Sequence, residues 1–186
     1  MLKDHDVYRR KQELLDRNNI VVWRFHDYWH AVRPDGILTG FLLKMGWEKY
    51  YDPASPVLVK LPGAPLSEIM QTAKKNLGIE QVRYIGDPAR VCRTIAVLPG
   101  AWPAEMQIQA LRQHDPDLLV CGEVREWETS EYIRDERSFG VNRSLLVLGH
   151  DLSEDPGMEW LVTWLKPKVN GIAVSHIPSG NAFRFA

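Results

Sequence analysis

Leu146-Val147-Leu148-Gly149-His150-Asp151-Leu152-Ser153-Glu154 is the stretch from which the fold class follows. An apolar run over residues 145–148 stops at Gly149, His150 follows at once, and Glu154 comes four residues later. Pro156-Gly157 then opens a second apolar segment, residues 158–165, at helical spacing. Ligands and catalytic groups of α/β proteins sit where a strand ends and a helix begins. Imidazole and carboxylate together are good ligands for zinc, iron, nickel or manganese. A lone histidine at a strand end is more often structural, so the reading needs a partner. Phe25-His26-Asp27-Tyr28-Trp29-His30 supplies one, because it too follows an apolar run, residues 20–23.

Outward from these two clusters, the chain alternates strand and helix. The spacing predicts a helix over residues 6–18, capped by Asp6, with Val7, Leu14 and Leu15 on one narrow face. The β-branched run at 20–23 predicts a buried strand reaching about Phe25, followed by a polar-aromatic loop through Pro34-Asp35-Gly36. Ile37, Phe41, Leu42 and Met45 predict a helix that Gly46 stops. Further strands are expected at 57–61, 81–85, 92–98, 117–121, 145–148 and 171–175, and further helices at 67–77, 103–113 and 123–137. Such alternation implies α/β layers with a mixed or parallel sheet. The turn Gly86-Asp87-Pro88 looks like a hairpin and predicts an antiparallel pair on its two sides. The proline-rich stretch 53–65 is the candidate lobe boundary within a chain otherwise read as one domain, 1–186.

The 186 residues are 45% apolar, enough for a sizeable core. With 23 basic and 24 acidic residues the formal net charge is -1, which offers no general field for nucleic acid or an anionic membrane. Cys92 and Cys121 lie in apolar runs without a CxxC neighbour and read as buried thiols of a reducing compartment. No apolar run approaches the roughly 20 residues a bilayer span needs. The N-terminus lacks the apolar core of a signal peptide. These features predict a cytoplasmic protein.

A third cluster, Gly122-Glu123-Val124-Arg125-Glu126-Trp127-Glu128-Thr129, also follows a strand. Its carboxylates suit the positive end of a helix, and they could equally serve a nearby metal pocket as general base or as partners to the ligands. Spacing restrains the His26–His30 pair. Four residues along an extended strand span about 13 Å, whereas in a helical turn their Cβ atoms come within about 6 Å. Either the chain turns between the two histidines or only one of them is a ligand. The same holds for His150 and Glu154. His5, His114 and His176 are weaker candidates.

The order of these motifs resembles the Nif-three-like family, also described as type 2 GTP cyclohydrolase homologues or dinuclear-metal-centre hexameric proteins. His26-Asp27-Tyr28-Trp29-His30 stands where that family has a His-Thr-Asn-Leu-Asp-like motif. Cys121-Gly122-Glu123 stands for its Thr-Gly-Asp, with Trp127 where a histidine would follow. Gly149-His150 to Glu154 stands for its closing Gly-His-x-x-x-Glu. Tyr84-Ile85-Gly86-Asp87-Pro88 and Ala96-Val97-Leu98-Pro99-Gly100 resemble its middle strands.

The resemblance implies an α/β protein of the Nif-three-like fold, with mixed sheet layers and alternating helices, assembled as a homo-oligomer of hexameric type. It implies His30, His150 and Glu154 as ligands of a divalent transition metal, with His26 lining the cleft. Glu123 or Glu128 would act beside His26 in catalysis. The implied activity is a metal-dependent, cyclohydrolase-like hydrolysis of a small nucleotide-like or phosphorylated substrate. The alternative is a non-catalytic metal-binding or regulatory assembly. The family's N-terminal His-His-Pro or His-Glu-Pro segment has no counterpart in residues 1–24. The ligands that remain suffice for one ion rather than two, held partially or not at all.

Overall fold

The computed structural model describes residues 5–184. Its centre is a five-stranded mixed sheet. Leu58–Pro65 (β1), Arg83–Ile85 (β2), Val91–Leu98 (β3), Leu118–Cys121 (β4) and Ser144–Val147 (β5) lie in the order β1-β3-β4-β5-β2. The pairs β3–β4 and β4–β5 are parallel, and the outer pairs β1–β3 and β5–β2 are antiparallel. Side chains alternate cleanly across this sheet, as the period of two requires. Ile95, Val97, Leu118, Val120 and Leu146 face a core that also holds Phe41, Leu66 and Ile69. Ala96, Leu98, Leu119, Cys121, Leu145 and Val147 face a second core with Leu111 and Ile133. Both faces of the central strands are therefore covered, which is why these strands read as unbroken apolar runs.

Helices Asp6–Arg17 (α1), His26–Ala31 (α2), Gly36–Met45 (α3), Leu66–Leu77 (α4), Ala104–His114 (α5), Glu131–Ser138 (α6) and His150–Leu165 (α7) complete the fold. Asp35 caps α3 by accepting from the backbone of Ile37 and Leu38, and Gly46 ends it in the left-handed conformation at φ 71°. The α3–α7 crossing is closed by two glycines. A Cβ at Gly40 would strike the backbone of Pro156 and Gly157, and a Cβ at Gly157 would strike the backbone of Ile37. The buried indole of Trp29 in α2 donates to the Gly157 carbonyl at 3.0 Å and ties α2 to the same crossing. Among the described residues no helix is long and apolar enough to cross a membrane.

Six expectations from the sequence need correction. Residues 20–23 form no strand: Val21 is 90% and Trp23 71% exposed, and the segment pairs with neither sheet edge. β-branched side chains favour extended backbone, but a strand also needs a partner for its backbone groups. Residues 171–175 are likewise outside the sheet. The turn at Gly86-Asp87-Pro88 is real, yet it does not join paired strands. The carbonyls of Pro88 and Arg90 accept from Ser67 and Leu66 at the start of α4, so β2 and β3 part to different neighbours. The charged helix starts only at Glu126 with a π-turn, Glu126–Ser130: Arg125 before it is extended, and the Glu123 N–H donates to the Gly100 carbonyl at 3.0 Å instead of opening a helix. Finally, α7 begins at His150 and runs through Pro156, so His150 and Glu154 lie one turn apart. The helix α1, expected to pack by Val7 and Leu14, leaves both exposed, and its N-cap residue is His5 rather than Asp6.

The two cysteines are buried as expected, and burial pushes their thiols up to about 11 at Cys92 and about 12 at Cys121. The glycine crossing gives a direct test. Gly157→Ala should destabilise the protein by about 1–3 kcal/mol, the usual cost of overpacking a closed contact. Urea unfolding reads this as a lower midpoint, and an unchanged midpoint would mean that the crossing is looser than described.

Candidate metal centre

The three parallel strands end level with one another, at Leu98, Cys121 and Val147. Their continuations remain stitched together. Gly100 O accepts from Glu123 N and Gly122 O from Gly149 N, both at 3.0 Å. Ser153 Oγ in α7 accepts from Gly100 N at 2.9 Å and donates to His150 O at 2.7 Å, which seats the first turn of α7 on the strand ends. At Gly100, φ is +76° and a Cβ would collide with the Glu154 carboxylate. A glycine is therefore required there twice over, for its backbone and for room.

Glu154 is the hub. His26 Nε2 lies 4.0 Å and His150 Nε2 3.3 Å from Glu154 Oε2, and His30 Nε2 lies 3.8 Å from Oε1. Each histidine is held from behind by a second carboxylate. Asp27 meets His26 Nδ1 at 2.9 Å, Asp35 meets His30 Nδ1 at 2.9 Å, and Glu123 meets His150 Nδ1 at 2.8 Å. A carboxylate at each Nδ1 holds the ring with Nε2 toward Glu154, so that Nε2, once deprotonated, can act as a ligand. The one-turn helix α2 makes this possible for His26 and His30, whose rings stand 4.7 Å apart. Where the sequence suggests a polar-aromatic loop, the chain forms this helix, which supplies the turn that the pair required.

The electrostatics follow from this ring of opposite charges. The Asp35 carboxylate, then that of Glu154, holds the His30 imidazole up to about 9 against the opposing effect of burial. Burial would raise Glu154, but the neighbouring His30 imidazole and the charges of His150 and His26 bring it below its usual value.

Of the residues singled out in the sequence, His26, His30 and Glu154 come together with ligand atoms within 4.8 Å of one another. His150 touches this group through Glu154, and Glu123 joins it through His150. Glu128 does not reach it: its carboxylate meets Arg125 at 3.4 Å. Trp127 is 73% exposed. His176 is spent on Asp155, at 2.9 Å. By local pattern Asp35 belongs to the polar-aromatic loop, although an aspartate directly before Gly36-Ile37-Leu38 is also a helix-cap signal. Its second oxygen, on His30, left no trace in the sequence.

The donor set suits one transition-metal ion. Ligand atoms around such an ion sit about 2.0–2.2 Å from it and so roughly 3.3–3.5 Å from one another. The two imidazoles lie 3.8 and 4.0 Å from different Glu154 oxygens, and the three ligand atoms lie within 4.8 Å of one another, so a bound ion would have to draw them inward. Two imidazoles and one carboxylate form the facial triad of open metal sites. The cluster opens on a cavity of about 780 Å³ walled by Ile37, Leu38, Val57, Leu98 and Trp102.

With fold and site in view, comparison with known proteins gives a family. The Duf34/NIF3 (NGG1p interacting factor 3) profile matches residues 2–181, and the chain belongs to that family. Its fold is similar to that of Staphylococcus aureus protein SA1388, at TM-score 0.54 and 21% identity over 69% of this chain and 41% of that one. A Bacillus cereus protein related to NIF3 is similar at TM-score 0.54 and 18% identity, over 69% of this chain and 35% of the other. Reduced HcgD from Methanocaldococcus jannaschii is similar at TM-score 0.60 and 14% identity, over 88% of this chain and 63% of that one. The chain thus spans between 35% and 63% of the length of these structures. No curated protein matches the sequence.

The order of influences on His30 can be checked by its imidazole titration in NMR. Asp35→Asn should lower the midpoint from about 9 further than Glu154→Gln does, because Asp35 is the larger cause. Equal shifts would overturn this order, and no shift in either variant would show that the two carboxylates do not hold this ring.

Proposed function

We propose that this chain holds one divalent transition metal ion (zinc, iron, nickel or manganese) and works as a metal-dependent hydrolase of a small molecule. The observation that carries this reading is the convergence of three Nε2 atoms on Glu154, each ring held at Nδ1 by its own carboxylate. Carboxylate-backed imidazoles are the usual way of fixing metal ligands. His26, His30 and Glu154 would hold the ion. In this reading His26 takes the ligand part that the resemblance suggests for His150. When bound, the ion supplies Lewis acidity and makes a water acidic enough to deprotonate near neutral pH.

The remaining residues serve proton movement and orientation. His150 offers Nε2 to Glu154 and Nδ1 to Glu123, so it can pass a proton from the centre to the Glu123 carboxylate. Glu123 is 55% exposed and can release that proton to solvent. Glu128, engaged by Arg125, is the poorer candidate for the same work. Asp35 keeps His30 turned toward the centre while capping α3.

Elemental analysis after gel filtration should find up to one ion per chain, lost in His30→Ala and Glu154→Gln. On a panel of small hydrolysable substrates, Glu123→Gln should retain the ion and lower turnover about 10²–10⁴-fold, the usual worth of a positioned proton-transfer group. An intact metal site with no turnover on any substrate would favour the non-catalytic metal-binding or regulatory reading.

Self-assembly as a cytoplasmic homo-oligomer belongs to the same proposal. Val22 at 70% and Trp23 at 71% exposure join Val21 in one apolar segment, as an interface between copies would require. Two free cysteines suit a reducing compartment. Light scattering on the purified chain should give a mass of several chains, up to six, and a monomer at micromolar concentration would sink this part.

A further inference from the structure

We infer that the cavity beside the metal centre takes a planar, largely apolar ring system bearing a single acidic group, and not a nucleoside triphosphate. This rests on the reading of the cluster as the reactive end of that cavity, and it replaces the nucleotide-like substrate suggested by resemblance.

The first observation is charge. A triphosphate brings several negative charges, and its binding sites answer with clustered Lys and Arg or with rows of backbone N–H groups. Among the described residues, Arg33 is the one Lys or Arg on the wall. Its Nη1 is already spent on the carbonyls of His30, Ala31 and Val32, at 2.9, 3.0 and 3.1 Å. The rest of the guanidinium, with the partial positive charge at the start of α5, can answer one acidic group. The imidazoles of His26, His30 and His150 on the same wall already face Asp35 or Glu154, so their charge is answered within the cluster.

The second observation is the wall itself. Pro34, Pro53, Pro56, Pro99 and Pro103 all line the cavity. Proline carries no backbone N–H, so at these five positions the wall cannot contribute to a phosphate cradle. Prolines also hold their backbone in one conformation, so the cavity exists before its ligand arrives. The third observation is Trp102, whose indole N–H donates to Pro99 O at 2.9 Å. Its polar atom is satisfied and its ring fixed, which leaves an aromatic surface for stacking. Val57, Leu98 and Met106 continue that surface. A volume of about 780 Å³ is in the range of small-molecule sites and fits a two- or three-ring compound.

The test is calorimetric titration of the full chain with 2-naphthoate, 2-naphthylmethanol and guanosine triphosphate, with and without zinc. The naphthoate should bind and the alcohol should bind less tightly. The triphosphate should neither bind more tightly than the naphthoate nor displace it. Trp102→Ala should weaken naphthoate about ten-fold or more, as truncation of an aromatic anchor does. Met106→Glu, at a position 46% exposed and so harmless to folding, should weaken it as well. Arg33→Ala should erase the difference between acid and alcohol. Tighter binding of the triphosphate, or naphthoate affinity unchanged in both wall variants, would overturn the inference. Zinc uptake in the same titrations separates the two readings. Uptake without naphthoate binding refutes the cavity inference alone, and naphthoate binding without uptake refutes the metal reading alone.

Discussion

The close crossing of α3 and α7 is the constraint on which the site depends. Two helix backbones approach within contact distance because Gly40 and Gly157 lack side chains where they meet. The Trp29 indole then bonds to the Gly157 carbonyl, and the flat face of Gly36 leaves room for that indole. Three elements are thereby fixed against one another: α2 with His26 and His30, α3 with the cap Asp35, and α7 with His150 and Glu154. A methyl group at the crossing would move the two halves of the ligand set apart, even with every ligand still present in the sequence.

Around this crossing, charge is balanced in layers. Three imidazoles surround the Glu154 carboxylate, and three further carboxylates stand behind the imidazoles. Half-buried groups of one sign without this alternation would be costly to desolvate. The strand ends provide the floor, through backbone bonds among Gly100, Gly122, Glu123 and Gly149. Those glycines let backbone, and not side chains, form the surface under Glu154.

Much of this was legible in the sequence, and the failures share a cause. Strands β3, β4 and β5 and helices α3, α4 and α5 announce themselves by local pattern: alternation or apolar runs for strands, helical spacing with Gly46 and Gly78 as stops. His150 and Glu154 were legible because a strand end, a glycine and a helix-spaced pair all fall within nine residues. Residues 20–23 were misread because β-branched composition records a preference for extended backbone and says nothing of a partner. The pairing of β2 with β5 was hidden because register between distant strands has no local signature. Asp35 and Gly100 were missed for the same reason: one side of each residue's work is local, a cap and a positive φ, while the other is a contact with His30 or Glu154 made only in three dimensions.

The chain distance across that crossing bears on the order in which the molecule assembles. The bond between Trp29 and Gly157 joins residues 128 apart in the chain. The parallel strands β3, β4 and β5, by contrast, follow one another with a single helix between each pair. Closing the long loop costs more entropy than closing the short ones, and its reward comes only when α7 exists to dock against. The central sheet is therefore expected to form first and the histidine cluster last. By the same reasoning the cluster is expected to open before the sheet does, so amide protons of α2 should exchange sooner than those of β4. Occupancy of the centre would then add stability to the weakest-held part of the fold.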